Sequence, residues 1–389
     1  MADENYQDGS EAPFPLQGGR LIQHMQRALK RLHRAGAERD RAGNRQLFFD
    51  QYLSLLLLYF FNPSITSLRA LKQTTNWEKT QRKLGIRRTS LGSLSEATRV
   101  FDAELVRPII EELATQALLL KRGREAEALR GLTAVDGSIF SALPRMAWAL
   151  WKDETHRGVK LHLHFDVLKG VPCQATLTPA ACSETAELAQ TLQPGRLYVL
   201  DRGYASYELF AQIVQAKSSL VARVKDSTAF VPLEERPLDE AARKAGVVRD
   251  VVISRLGTAH HKDHLRQPMR LVIVRVPNRD GTMIELWLLT DRLDLPADLV
   301  ALAYRYRWTV ELFFRWMKSI LGARHLVSKK RNGVTLQMYA ALIVSLLIIV
   351  YTGRKPTKRT FETIQFYLLG WVTDEELEAH LATLQKISR

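Results

Sequence analysis

Three acids and four neighbours of one of them have the types and spacing to do chemistry. They are Asp136, Asp201 and Glu311, the last set among Tyr304, Arg307, Arg315 and Lys318. No Pro or Gly interrupts Tyr304 to Lys318, and Pro296-Ala297-Asp298 upstream is a helix start. On a helix turning about 100° per residue, with Tyr304 at zero, Arg307 falls at roughly −60°, Glu311 at roughly −20°, Arg315 at roughly +20° and Lys318 at roughly −40°. One narrow stripe thus holds a tyrosine, a carboxylate and three cations. Val310, Phe313, Trp316, Met317 and Ile320 take the other side, where they can bury. Such a stripe suits a glutamate that binds a metal while its neighbours hold a polyanion. The alternative is a surface ladder in which Glu311 pairs with Arg307 and Arg315, worth a few tenths of a kcal/mol per pair.

Asp136 and Asp201 each end a short apolar run, Leu132-Thr133-Ala134-Val135 and Arg196–Leu200. A glycine follows Asp136 directly and Asp201 one residue later. Ligands gather at strand ends in α/β sheets. Three carboxylates with no histidine or thiolate are hard oxygen donors that suit Mg²⁺, with Mn²⁺ able to substitute. Two such ions about 3.5–4 Å apart can activate an attacking oxygen and stabilise a leaving one in phosphoryl transfer. Unaided, the acids would repel one another and raise each other's pKa; a metal and the flanking bases relieve that.

The elements that must position these groups follow from the pattern along the chain. Residues 1–19 are rich in Gly, Pro, acids and amides and read as a flexible tail. Residues 20–130 read as a helical DNA-binding domain, with a core helix over Leu47–Phe61 stopped by Asn62-Pro63 and a cap at Ser64–Ser67. Within it, Leu84-Gly85-Ile86, a basic turn through Ser90 and a helix past Ser95 could form a helix-turn-helix, or an ordinary bundle with a basic surface. Near residue 131 the period becomes that of strands. Leu132–Val135, Val159–Val167 and Val171–Thr178, then a helix from Ser183-Glu184 to Gln190, a strand to Leu200, a helix over Tyr207–Lys217 and a strand over Ser219–Val224 follow in turn.

That order is ribonuclease-H-like. It makes residues 131–224 the first part of a catalytic domain and sets the first and fourth strands, with their aspartates, side by side. Residues 225–295 read as a β-rich insertion with runs at Val247–Ile253, Met269–Val276 and Met283–Thr290 and a hairpin turn at Asn278–Gly281. Residues 296–351 return to the catalytic domain, with Lys329–Gly333 as a linker and Tyr339–Tyr351 as a buried helix too short for a bilayer. Residues 352–389 form a helical tail. The fold class is α/β: a mixed sheet with an insertion, an all-helical N-terminal domain before it and a helical C-terminus after it.

Composition agrees with a polyanionic partner. Lys and Arg number 56 against 41 Asp and Glu, a formal charge of +15 with a pI near 9.8. Hydrophobic residues make up 46% of 389, enough for a large core and too many for a disordered chain. Two cysteines exclude a disulfide framework and fit a cytoplasmic protein, and the polar, acidic first residues are no signal peptide.

Tyr304-x-x-Arg307-x-x-x-Glu311-x-x-x-x-x-x-Lys318 resembles the Tyr-Arg-Glu-Lys signature of bacterial insertion-sequence transposases of family four. Asp136-Gly137-Ser138 and Leu200-Asp201-Arg202-Gly203-Tyr204 resemble the two aspartate motifs of the same DDE family, and the three motifs stand in its order. The resemblance runs from about Leu132 to Tyr351. It implies that Asp136, Asp201 and Glu311 bind catalytic Mg²⁺, and that Tyr304, Arg307 and Lys318 grip the transposon end; Arg315 on the same stripe is a further DNA contact. It implies a transposase that nicks the ends of a mobile element by water attack and joins the freed 3′-hydroxyl to target DNA, with no covalent protein intermediate. Double-stranded DNA is the partner, as terminal repeats and as target; a homodimer on DNA is expected and a membrane is not. In relatives an insertion-domain tryptophan assists a flipped base, a role open to Trp287, whose plain alternative is core packing. Two rivals stand beside this reading: a metal-dependent nuclease that cuts without joining, and a transposase derivative that only binds DNA.

Other groups read as structural. His162, His164 and Asp166 share one strand face but converge poorly on one ion, so a polar sheet face is expected. His260, His261, Asp263 and His264 suggest a loop or DNA-facing patch rather than a metal site. Trp148, Trp151 and Lys152 could track DNA or simply pack. Cys173 and Cys182 are expected to be inert, and Ser138 has no histidine at a triad spacing.

Overall fold

The computed structural model describes residues 25–35, 44–120, 123–151, 156–257, 267–278 and 280–386. The expected tail at 1–19, Lys152, the histidine cluster at 260–264 and Arg279 of the hairpin turn lie outside the described residues.

The N-terminal helices start and stop where local chemistry requires. Helix α1 (Phe49–Phe61) ends at Asn62, whose N–H still donates to Leu58 O before Pro63 breaks the ladder. Ser67 caps α2 (Leu68–Thr74) by accepting from Ala70 N–H at 3.1 Å. Helix α3 (Glu78–Leu84) terminates on Gly85 at φ 62°, a left-handed conformation that glycine adopts without strain. Ser90 then caps α4 (Leu91–Val100), accepting from Ser93 N–H at 2.9 Å. Helices α5 (Arg107–Gln116, with Pro in its first turn) and α6 (Arg124–Ala128) lead into the sheet.

The sheet is mixed and nine-stranded, in the order β3-β2-β1-β4-β5-β9-β8-β7-β6. Its first half comprises β1 (Leu132–Ser141), β2 (Gly158–Asp166), β3 (Val171–Pro179), β4 (Leu197–Leu200) and β5 (Ser219–Val224). Helices α7 (Glu184–Gln190) and α8 (Tyr207–Gln215) connect β3 to β4 and β4 to β5. The second half comprises β6 (Phe230–Glu235), β7 (Val247–Leu256), β8 (Met269–Pro277) and β9 (Met283–Thr290), with the short helix α9 (Glu240–Lys244) between β6 and β7. Strand β6 and helix α9 have no counterpart in the sequence reading. The residues expected as an insertion extend the same sheet, because β9 pairs antiparallel with β5 from Val221↔Thr290 to Val224↔Trp287.

Beyond the sheet lie α10 (Ala297–Tyr306), α11 (Trp308–Ser319), α12 (Arg331–Thr352), α13 (Lys358–Leu369) and α14 (Asp374–Lys386). One hydrophobic cluster joins Leu132, Ala134, Leu197 and Val199 of the sheet to α1, α5 and α10–α13. A second joins Val135, Tyr198 and Leu200 to α7 and α8 on the opposite face. Side chains alternate along a strand, so Asp136 and Asp201 continue the first series and face the α11 side.

Four expectations are corrected. Strand β1 does not end at Val135 but runs ten residues to Ser141, because β2 pairs with it from Thr133↔Asp166 to Ser141↔Gly158. The helix expected over Tyr304–Lys318 is divided at Arg307, whose φ −53° and ψ −35° stay helical. There Arg307 N–H donates to Tyr304 O and Val310 N–H to Arg307 O, contacts of the tighter three-residue type. Arg331, Asn332 and Gly333 are the first turn of α12, not a linker. Asn332 fixes that turn by donating to Thr98 O and Phe101 O and accepting from Ala103 N–H. A Cβ on Gly333 would stand 2.2 Å from Ser328 Oγ, so glycine serves close approach there.

The polar face expected of β2 is present, and it is buried. His162 Nε2 meets Thr178 Oγ1 at 2.8 Å and His164 Nε2 meets Thr191 Oγ1 at 3.2 Å. Burial pushes the two imidazoles down to about 4 and about 3, so both are neutral. The fourth correction concerns the helix expected over Tyr339–Tyr351 as too short for a bilayer: at 22 residues and a mean hydropathy of 2.2, α12 is long and apolar enough to cross a membrane. The fold buries 94% of that apolar stretch against α1, α5 and β3, as the core helix of the whole assembly.

Candidate active site

Parallel pairing of β1 with β4 runs Leu132↔Leu197, Thr133↔Tyr198, Ala134↔Val199 and then stops. Carried on by two residues, that register sets Asp136 opposite Asp201. Asp136 therefore lies inside β1 with respect to β2, yet at the carboxyl end of the β1–β4 pair, where the strands part and ligands enter.

Each aspartate is oriented by a neighbouring glycine. Gly137 N–H donates to Asp136 Oδ1 at 2.9 Å, and Gly203 N–H donates to Asp201 Oδ1 at 2.8 Å. The second oxygen of each carboxylate accepts no hydrogen bond from the described residues. A Cβ on Gly203 would lie 3.0 Å from Asp201 Oδ1, so the Asp-x-Gly spacing reflects packing around the acid. Asp136 is pushed up to about 7, chiefly by burial and further by Glu184 and Asp201; Gly137 N–H and Arg307 oppose the rise.

Glu311 stands in the first turn of α11, which packs on β1. Arg307 pairs with it, Nη1 to Oε1 at 2.7 Å. The Arg307 guanidinium is buried over the rings of Tyr304 and Trp308, at 5.9 and 5.4 Å, and also feels Asp201. Its Nε has no hydrogen-bond partner among the described residues. Arg307 thus pairs with Glu311 and acts through its charge on both aspartates. Among the described residues no three acids, histidines or cysteines are gathered closely enough to hold a metal. Asp136 and Asp201 come together; Glu311 pairs with Arg307, whose charge also reaches both aspartates.

The remaining stripe residues divide. Tyr304 is buried and lines a groove of about 410 Å³ with Arg305, Trp308 and the β8–β9 face. Lys318 Nζ donates to Ile139 O at 2.7 Å and sits 4.7 Å from the Phe140 ring centroid, pinning α11 to β1 just past Asp136. Arg315 is exposed and forms no ion pair with Glu311, so the ladder alternative is half present, through Arg307 alone. Val310, Phe313, Trp316 and Met317 are buried as the 3.6-residue period requires, with Ile320 partly so.

Three residues of the site escaped the sequence reading. Glu184 of α7, Lys160 of β2 and Tyr204 after β4 adjoin Asp136 from the other side. The only signal for Glu184 was its place after the Ser183 cap, and for Tyr204 its place in the Asp201 motif. Other tryptophans pack: Trp148 Nε1 donates to Lys329 O at 2.9 Å, and Trp287 meets the Phe230 ring edge-on with centroids 5.8 Å apart. Cys173 is buried and its thiol is pushed up to about 11, whereas Cys182 is exposed; both are free thiols.

The donor set fits a hard divalent cation. Two carboxylates at a strand-end crevice, one held by burial against ionisation, leave negative charge that a cation would relieve. Two carboxylates paired at the mouth of a sheet, with a buried arginine acting on both, suit metal-assisted phosphate chemistry. Residues 127–347, more than half of the chain, match the family model described as "Transposase DDE domain", and the chain belongs to that family. It is a DNA transposase, and domains of this family work with divalent metal ions.

Among relatives, the chain is 29% identical to the putative transposase y4zB of Sinorhizobium fredii over 252 residues, 64% of this chain and 69% of that one. It is 27% identical to the probable transposase for insertion sequence element IS5377 of Geobacillus stearothermophilus, covering 52% of each chain. The putative transposase for insertion sequence element IS4SA of Synechocystis sp. is 20% identical over 85% of this chain and 90% of that one. The cryo-EM structure of a piggyBac transposase synaptic complex with hairpin DNA aligns with 92% of this chain and 81% of that one. Its TM-score is 0.40 at 10% identity, too low to weigh on fold or function.

Proposed function

We propose that Asp136, Asp201 and Glu311 together hold two Mg²⁺ ions, Mn²⁺ substituting, and that the enzyme cuts mobile-element ends and joins the 3′-hydroxyl to target DNA. The observation that carries this reading is the β1–β4 register, which sets two carboxylates opposite one another at the mouth of the sheet. The order β3-β2-β1-β4-β5 supports a ribonuclease-H-like core, and the Tyr304, Arg307, Glu311 and Lys318 spacing supports the family-four assignment. When bound, the metal supplies charge neutralisation at the attacking and leaving oxygens.

The protein's own groups do the rest. Glycine N–H bonds orient Asp136 and Asp201. Glu311 joins them by exchanging its pair with Arg307, which frees the guanidinium for a DNA phosphate. Lys318 keeps α11 against β1 during that exchange, and Tyr304 and exposed Arg315 track the backbone of the bound end. Helices within 20–130, with Lys79, Arg82, Arg87 and Arg88 around the α3–α4 turn, add duplex contacts. The active assembly is a homodimer on DNA, in the cytoplasm.

The test is a gel assay of end DNA and target with Mg²⁺. Wild-type protein gives cleaved and joined strands; Glu311→Gln gives neither while still retarding end DNA. Unchanged cleavage by that variant removes Glu311 from the site. Cleavage without any joined product by the wild type makes the enzyme a nuclease.

A further inference from the structure

Behind the aspartate pair, on the α7 side of the sheet, lies a charge that the metal site itself does not use. Alternation along β1 places Asp136 toward α11 and the next position, Gly137, toward α7. A Cβ on Gly137 would stand 2.9 Å from Glu184 Oε1 and 3.1 Å from Lys160 Cδ, so only glycine lets that carboxylate lie against the strand. Lys160 holds it there, with Nζ 3.1 Å from Glu184 Oε1 and 3.1 Å from Cys182 O. The lysine side chain is 11% exposed and the glutamate 30%, a pairing largely shielded from solvent. Tyr204 is 1% exposed, its hydroxyl has no hydrogen-bond partner among the described residues, and it feels Glu184, Asp136 and Asp201 together.

We infer that Glu184 is a positioning residue that tightens divalent-cation binding at Asp136 and Asp201 through its charge, from behind the strand, without ligating the ion. This inference rests on the metal-site reading above. Three features argue for action through the field. Glu184 and Asp136 approach β1 from opposite faces, so the glutamate cannot share an ion with the aspartate directly. Lys160 pairs with Glu184 through Oε1, the oxygen that lies 2.9 Å from where a Gly137 Cβ would stand, so the carboxylate is held against β1 one residue from Asp136. Tyr204, buried on the same side, keeps a hydroxyl with no partner among the described residues, a polar group the cluster itself does not use.

The experiment measures Mg²⁺ and Mn²⁺ binding to the full chain by calorimetry and by thermal shift, without DNA, in wild type, Glu184→Gln, Glu184→Asp and Asp136→Asn. Metal dependence of end cleavage is measured in parallel. Glu184→Gln, which keeps shape and hydrogen bonding, is expected to raise the half-saturating metal concentration about tenfold, as loss of a unit charge at this range implies. Its maximal rate at saturating metal should fall much less than its affinity. Glu184→Asp restores most of the affinity, which a purely structural role would not predict. Binding by Glu184→Gln equal to wild type, with Asp136→Asn impaired, overturns the inference alone. Equal binding by all four proteins overturns the metal-site reading and this inference with it.

Discussion

Two aspartates on the same sheet are treated in opposite ways. Asp250 on β7 is 4% exposed and meets Arg270 on β8 through two hydrogen bonds, at 2.7 and 2.6 Å. The guanidinium also donates to Leu295 O and Arg292 O, so the pair is satisfied in every direction that matters. Asp136 on β1 has one backbone N–H and, at a remove, an arginine already engaged with Glu311. The half of the sheet built from β6–β9 closes its buried charge within the protein. The half built from β1–β5 leaves charge open to something from outside. The difference separates a structural acid from the proposed catalytic one more clearly than burial does.

The sharpest way to break the comparison is to neutralise each acid. Asp136→Asn should reduce strand cleavage by on the order of a thousandfold or more, while the metal-free fold loses no stability and gains some at neutral pH. An active Asp136→Asn protein would return this aspartate to the structural class. Arg270→Met should do the reverse. It strands Asp250 in the interior and should cost about 3–5 kcal/mol in denaturant unfolding, with activity lost only as the fold is lost. Replacing both partners, Asp250→Leu with Arg270→Met, should recover much of that.

A pH series sharpens the contrast. Asp136 binds its proton more tightly in the folded state, at about 7 against roughly 4 in the unfolded chain. Its contribution to stability is therefore fully present below about pH 4 and is lost as pH rises toward 7. Wild-type protein without metal should lose about 3–4 kcal/mol relative to Asp136→Asn across that interval. Added Mg²⁺ should restore the loss in wild type and do nothing for the variant. Parallel unfolding curves for the two proteins from pH 4 to 8 would show that Asp136 titrates normally.

How much of this was legible in the sequence follows the range of the interactions. Ser67, Ser90 and Ser183 announce helix starts because a cap is read within three residues, and each accepts the bond expected of it. Strand β5 falls on Ser219–Val224, as its apolar run required. The aspartate pair was legible because strand order is a topological consequence of that run of elements. Glu184 was not, since nothing local says that α7 lays its first carboxylate against Gly137, across 47 residues of chain. The division at Arg307 was missed for a related reason. All its residues favour helix, and the tightened turn is set by the buried guanidinium between two rings and three acids. The polar face of β2 was legible from alternation, but its burial was not, because alternation says which side a residue takes and not what covers it; α7 and its neighbours cover it here.

The smallest effect is expected one residue from the largest structural one. Arg249 precedes Asp250 on β7 and pairs with Glu235 on β6, yet both side chains are about half exposed. The ions are the same types as in the Asp250–Arg270 pair, and the strand is the same. What differs is solvent: water already stabilises Arg249 and Glu235 when apart, and salt screens them when together. Glu235→Gln should therefore change unfolding free energy by less than about 0.5 kcal/mol, and less still in high salt. A cost near that of Arg270→Met would mean that the β6–β7 edge is shielded in solution. A partner or second copy lying over that edge would then have to be sought, since the burial that gives an ion pair its weight is absent from the isolated chain.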